Sequence, residues 1–192
     1  MVERLKEEYQ VDVEWRPFYL YFDTPPEGRE LPEHVTRARA NGSEERLASI
    51  AGMYGIPFRS TDRVYNTRLA HEATEYARAH GAGSEFHKII FRKVYAEGCD
   101  PSQWETLRSA AEEAGLNADE MQREVESEKY TADVADKVRW AYQIGVTGVP
   151  TYVINDRYAI VGAQPYEVFK DALEKILKEK NTAYIPSSDR AC

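Results

Sequence analysis

The sequence predicts an α/β protein in which two strand regions flank a long run of helices. Val11 to Phe18 alternates apolar and polar residues over five positions and stops at Pro17, the pattern of a short half-buried strand. Between residues 43 and 145 apolar residues recur at helical spacing in segments separated by glycine, which marks successive amphipathic helices. From Gly145 onward a proline heads an apolar run, an Asn155-Asp156 turn follows, and a second apolar run leads into a last amphipathic segment. Such a run, turn and run reads as an antiparallel hairpin.

In chain order, Val2, Leu5 and Tyr9 stand at helical spacing among charges, so residues 2–9 predict an amphipathic helix whose apolar period is already running at its start. Residues 19–43 hold Pro25, Pro26, Gly28, Pro32 and Gly42, a composition that predicts a long surface loop. Ser43 caps a helix bearing Leu47, Ile50, Ala51 and Tyr54, ended by Gly55. Asn66 or Thr67 caps the next, with Leu69, Ala70, Ala73, Tyr76 and Ala77 on one face. Ser84 opens a third that turns Phe86, Ile89, Ile90 and Val94 inward, and Asp100-Pro101 opens a fourth with Trp104, Leu107 and Ala111. Asn117 and Glu120 form a capping-box pattern for a fifth, and Thr131 opens a sixth through Val138 to Gly145. Pro165, Val168, Phe169, Leu173, Ile176 and Leu177 make a closing helix before a polar tail at 181–192.

Pro150 cannot donate a ladder hydrogen bond, so at the head of a β-branched run it belongs at an edge, a bulge or a special turn. A cis Val149-Pro150 bond is the reading adopted. The stretch Gly145-Val146-Thr147-Gly148-Val149-Pro150-Thr151-Tyr152-Val153-Ile154, followed by Gly162-Ala163-Gln164-Pro165, resembles the C-terminal half of the DsbA-like thioredoxin-fold oxidoreductases, especially their FrnE-type branch. Trp15-Arg16-Pro17-Phe18 is similar to the same branch. The resemblance implies a thioredoxin-like fold with an inserted helical domain: residues 1–42 and 131–180 form the thioredoxin-like part and 43–130 the insertion. It also implies a cis-proline loop facing a Cys-x-x-Cys at the start of the first helix, where the helix terminus favours a thiolate.

That dithiol is absent from the 192 residues, which contain only Cys99 and Cys192. The family's first strand is likewise expected to be missing, which would leave two strands with open edges and invite a homodimer that covers one of them. Cys99 falls in a turn between two insertion helices beside Asp100, and Cys192 ends a polar tail. Neither is expected to be catalytic. The surviving half of the site is backbone: the N–H and C=O of Val149, ahead of Pro150 and beside Thr147 and Gly148, are expected to pair with a thiol-containing peptide or glutathione.

Net charge is −8, from 25 Lys and Arg against 33 Asp and Glu, which repels nucleic acid and anionic membranes. The N-terminus shows no long hydrophobic region, so no signal peptide or membrane span is predicted and a cytoplasmic protein is expected. His34, His71, His80 and His87 lack a His-Glu-x-x-His pattern, and neither a metal nor a cofactor is expected. Arg59, Arg63, Asn66 and Arg68 stand ahead of a helix start and could hold an anion, or simply be a solvated surface. Tyr19, Tyr21 and Phe22 could form an apolar substrate face, or simply pack. The first functional expectation is a DsbA/FrnE-type thiol–disulfide oxidoreductase whose present chain lacks the dithiol. The alternatives are a glutathione-dependent isomerase or transferase, of the hydroxychromene-carboxylate isomerase or kappa-class type, and a noncatalytic peptide- or glutathione-binding module.

Overall fold

The computed structural model describes residues 1–183, with side chains through Glu179. The chain forms two compact units: Met1–Trp15 with the described part of Ile144–Cys192, and Arg16–Gln143. Residues 16–42 and 131–143, assigned from sequence to the thioredoxin-like part, thus pack with the helices.

In the first unit, helix α1 (Val2–Tyr9) precedes an antiparallel hairpin of β3 (Thr151–Ile154) and β4 (Tyr158–Val161), which leads into helix α9 (Tyr166–Ala183). The intervening elements, β1 to α8, belong to the second unit. The hairpin register pairs Thr151 with Val161 and Ile154 with Tyr158. Asn155 and Asp156 both take left-handed φ of 53°, the geometry that a tight hairpin turn requires and that Asn and Asp tolerate best. Burial alternates along β4, with Tyr158 and Ile160 partly covered and Ala159 and Val161 exposed. Tyr152, Ile154 and Ile160 therefore share the inner face with Leu5, Phe169 and Leu173. The Tyr152 and Phe169 rings meet edge to face at 4.7 Å, a geometry worth about 0.5–1.5 kcal/mol beyond area burial.

The second unit is helical around one core. Helices α4 (Arg68–Ala79), α5 (Gly83–Tyr95), α6 (Trp104–Glu113) and α7 (Ala118–Glu126) contribute Ala70, Ala73, Tyr76, Phe86, Ile90, Leu107, Ala111 and Met121, among others, to its interior. The alanine stripe of α4 has little bulk, which lets neighbouring helices approach closely. Gly81, at φ 77° between α4 and α5, makes the left-handed turn that a side chain would resist. Asn117 accepts the Glu120 N–H at 3.0 Å, half of the capping box read from the sequence. Helix α8 (Thr131–Gln143) buries Val134, Val138 and Ala141.

Three expectations need correction. No strand forms over Val11–Phe18, which pairs in neither of the two sheets among the described residues; Val11 packs on the core of the first unit instead. The expected loop at 19–43 contains β1 (Arg29–Glu30), paired antiparallel with β2 (Arg63–Val64), and helix α2 (Glu33–Ala40). Helix α2 buries no residue, so it left no apolar stripe to read. The expected polar tail begins inside α9, which continues through Ala183; residues 184–192, with Cys192, lie outside the described residues. Smaller shifts occur at helix starts: α3 (Ser43–Met53) has Gly42 as its cap residue, and Asp100 accepts the Ser102 N–H at 2.8 Å in a turn before α6.

Phe86 is fully buried at the centre of the helical core. Phe86→Ala is expected to cost about 3–5 kcal/mol, read as a lower urea midpoint with an unchanged slope.

Candidate functional site

Two features stand out, one in each unit. In the first, the Val149-Pro150 peptide bond is cis. Thr151 Oγ1 donates to the Gly148 carbonyl at 2.7 Å, and the Gly162 N–H donates to the Pro150 carbonyl at 2.8 Å. Gln164 Nε2 donates to the Val161 carbonyl at 2.9 Å, on the other side of Gly162. The loop is thereby tied down on both sides of Val149. Val149 itself is 57% exposed, and among the described residues its N–H and C=O have no hydrogen-bond partner. One donor and one acceptor of the main chain are left for an outside strand.

In the second unit a cleft of about 410 Å³ is lined by Tyr19, Phe22, Arg68, Glu72, Val138 and Tyr142, among others. Its walls come from α4, α8 and the segment after Pro17. Tyr142 Oη donates to the Tyr19 carbonyl at 2.7 Å, and the Phe18 and Tyr142 rings lie 5.1 Å apart, so that segment is fastened to α8. Glu72 is fully buried. Its Oε1 accepts from Arg68 at 2.9 Å and from Thr131 Oγ1 at 3.0 Å, while its Oε2 is buried with no donor among the described residues. An unsatisfied buried acceptor costs about 1–3 kcal/mol, more if charged.

Next to Glu72 on α4, His71 meets the Tyr19 ring at 5.3 Å and Thr67 Oγ1 at 3.3 Å. Burial lowers its pKa to about 4, with His87 adding to the effect and a hydrogen bond to the Phe18 backbone opposing it. His87 is also pulled to about 4 by burial. Glu75, one turn on, bonds Lys137 at 2.6 Å and Arg78; burial pushes it up to about 7, with Arg78 opposing and Asp133 adding.

The DSBA-like thioredoxin domain family matches residues 1–174. The chain belongs to that family. A probable DsbA oxidoreductase of Streptomyces coelicolor is 30% identical with a TM-score of 0.67, over 74% of this chain and 62% of that one. A 2-hydroxychromene-2-carboxylate isomerase of Sphingobium xenophagum is 31% identical over 85 residues, 44% of each chain. The chain thus spans less than two thirds of either relative. A solved 2-hydroxychromene-2-carboxylate isomerase shares the fold at 18% identity, with a TM-score of 0.75 over 95% of this chain and 89% of that one. The fold is therefore DsbA-like and thioredoxin-type, with a large helical part, as the motifs around Pro150 implied.

The site residues named from sequence fall as follows. Thr147, Gly148, Val149 and Pro150 lie together in the first unit. Cys99 is partly buried in the second, its N–H bonded to the Lys93 carbonyl at 2.9 Å, between α5 and α6. The basic grouping spends its donors separately: Arg63 on the Glu27 carbonyl, Asn66 on the Thr24 carbonyl at 2.7 Å, and Arg68 on Glu72, while the Arg59 side chain packs by Gly98. Of the aromatic series, Tyr19 and Phe22 line the cleft, whereas Tyr21 lies under Arg29, 4.9 Å from its guanidinium. Sequence reasoning missed Glu72. The available signal was a glutamate four residues before Tyr76, on the buried side of α4. Among the described residues no helix is long and apolar enough to cross a membrane, and no group of three or more metal-binding side chains occurs.

A histidine depressed in the folded state binds its proton less readily there than in the unfolded chain, whose histidines titrate near 6.5. The stability this gives His71 is present above about 6.5 and lost as pH falls toward about 4. Glu75, raised to about 7, works in the opposite sense, its folded form losing stability as pH rises from 4.5 to about 7. His71→Asn is expected to lose less stability than the parent on acidification through that window, and Glu75→Gln to lose more. Urea unfolding midpoints across the pH series measure both slopes.

Proposed function

We propose that this chain provides the substrate-docking surface of a DsbA-type thiol–disulfide oxidoreductase, and that residues 1–192 do not themselves exchange disulfides. The supporting observation is the pairing capacity of Val149, exposed and with N–H and C=O unpaired among the described residues, on a loop fixed by Thr151 and Gly162. An extended thiol peptide, or the backbone of glutathione, adds there as a short strand, placing its cysteine beside Pro150. Disulfide exchange needs an attacking thiolate within bonding reach, and the cysteines of the sequence are one in the helical unit and one at residue 192. Strands β3 and β4 pair with each other and with no further strand among the described residues. Their outer edges are accordingly open to a second copy, so a homodimer belongs to the same proposal.

The partial match to a 2-hydroxychromene-2-carboxylate isomerase favours a second reading, a glutathione-dependent isomerase or transferase that uses the same loop to hold the tripeptide. The two readings part at the substrate. Insulin reduction is expected to run no faster than with dithiothreitol alone. Glutathione and a cysteine-containing peptide at millimolar concentration are expected to shift the Val149 and Thr151 amide signals, and Val149→Pro, which lacks the N–H, to abolish those shifts. Robust insulin reduction, or unmoved amides with both ligands, would overturn the first reading. Glutathione-dependent isomerisation of a hydroxychromene carboxylate would establish the second, and a doubled mass in sedimentation would establish the dimer.

A further inference from the structure

We infer that α3 of the helical unit is the contact surface for a second copy of this chain, packed antiparallel on itself across a two-fold axis at Ile50. Helix α3 buries no residue, and Leu47, Ile50, Met53 and Tyr54 are 52%, 48%, 74% and 73% exposed. Spaced at i, i+3, i+6 and i+7, they form one face of the helix. Its neighbour α2 buries nothing either and meets it through Arg39 and Glu44 at 3.8 Å, so neither gives the other a core. A helix of 11 residues is marginal in water without such a core.

The occupant is set by area, charge and symmetry. At about 200 Å² for a large side chain, these four residues with Ile56, 58% exposed, offer about 600 Å² per copy, so a pair buries about 1,200 Å², the lower end for specific interfaces. Each copy carries a net charge of −8, which opposes self-association, yet residues 47–58 hold no charged side chain, as the centre of an interface between like-charged copies requires. The face is also its own complement. About Ile50, Leu47 meets the partner's Met53, and the Arg46 guanidinium meets the partner's Tyr54 ring, each contact occurring twice. Antiparallel packing keeps the acidic starts, Glu44 and Glu45, roughly 16 Å apart along the axis and beyond the screening length, where parallel packing would set them side by side.

The full chain is expected to sediment as a dimer at micromolar concentration. Ile50→Glu is expected to weaken the pair at least about 100-fold, since the two-fold brings both glutamates together, and to leave the amide signals of α4 to α7 in place. Arg46→Ala is expected to weaken it about tenfold, through two lost ring contacts. With Cys99 and Cys192 replaced by alanine, Ile50→Cys is expected to cross-link two copies on mild oxidation, because residues facing across the axis come within disulfide reach, while Glu45→Cys on the far side of α3 does not. A full chain that stays monomeric, a pair that survives Ile50→Glu, or equal cross-linking at residues 45 and 50 overturns the inference. The second of these would assign the pair to the strand edges of the hairpin and leave the reading of Val149 intact. Signals of α3 that move with phosphatidylcholine vesicles while the chain stays monomeric would give the face to lipid and overturn it too.

Discussion

Two carboxyl groups on the inner side of α4 organise the helical unit. Glu72 is reached by Thr131 at the start of α8, and Glu75 by Lys137 two turns later, at 3.0 and 2.6 Å. Both glutamates are buried. A polar group removed from water destabilises the fold unless it is bonded, so each must keep its partner and α8 is held in one register against α4. The apolar residues Val134 and Val138 of the same helix are thereby held at the wall of the cleft. Hydrophobic burial alone would tolerate a sliding helix; the two bonded carboxyls do not.

The first unit solves a different problem. A two-stranded hairpin is marginal in water, and here one face is covered by Leu5 of α1 and by Phe169 and Leu173 of α9. On the other face Ala159 and Val161 are exposed, Val161 at 62%, and neither strand pairs with a further strand among the described residues. The hydrogen bond from Gly162 to the Pro150 carbonyl extends the pairing by one step and carries the hairpin's rigidity into the loop. Val149 is the first residue beyond that step, which is why its main-chain groups are held in place yet unpaired among the described residues.

Much of this could be read from the sequence because it rests on local chemistry. Asn155-Asp156 favours the left-handed turn whatever surrounds it, and Asn117 caps its own helix. The alanine and aromatic stripe of α4 follows from the helical period. Other features escaped because their signals were absent or depended on distant residues. Helix α2 has no buried face, the two-residue strands β1 and β2 exist only by pairing across more than thirty residues, and Val11–Phe18 alternates like a strand yet joins no sheet among the described residues.

The sequence by itself determined the helical character of residues 43 to 145, the hairpin after Pro150 and the absence of a Cys-x-x-Cys, since each depends on spacing and residue type along the chain. Family membership followed from the short motif around Pro150. Only the tertiary structure decided that Tyr19 and Phe22 meet Glu72 across a cleft while Arg59, Arg63 and Asn66 disperse to separate partners. Periodicity says which side of a helix is buried. It does not say which residue from elsewhere in the chain comes to lie against that side, and the burial of Glu72 with one bare oxygen is settled by that meeting alone.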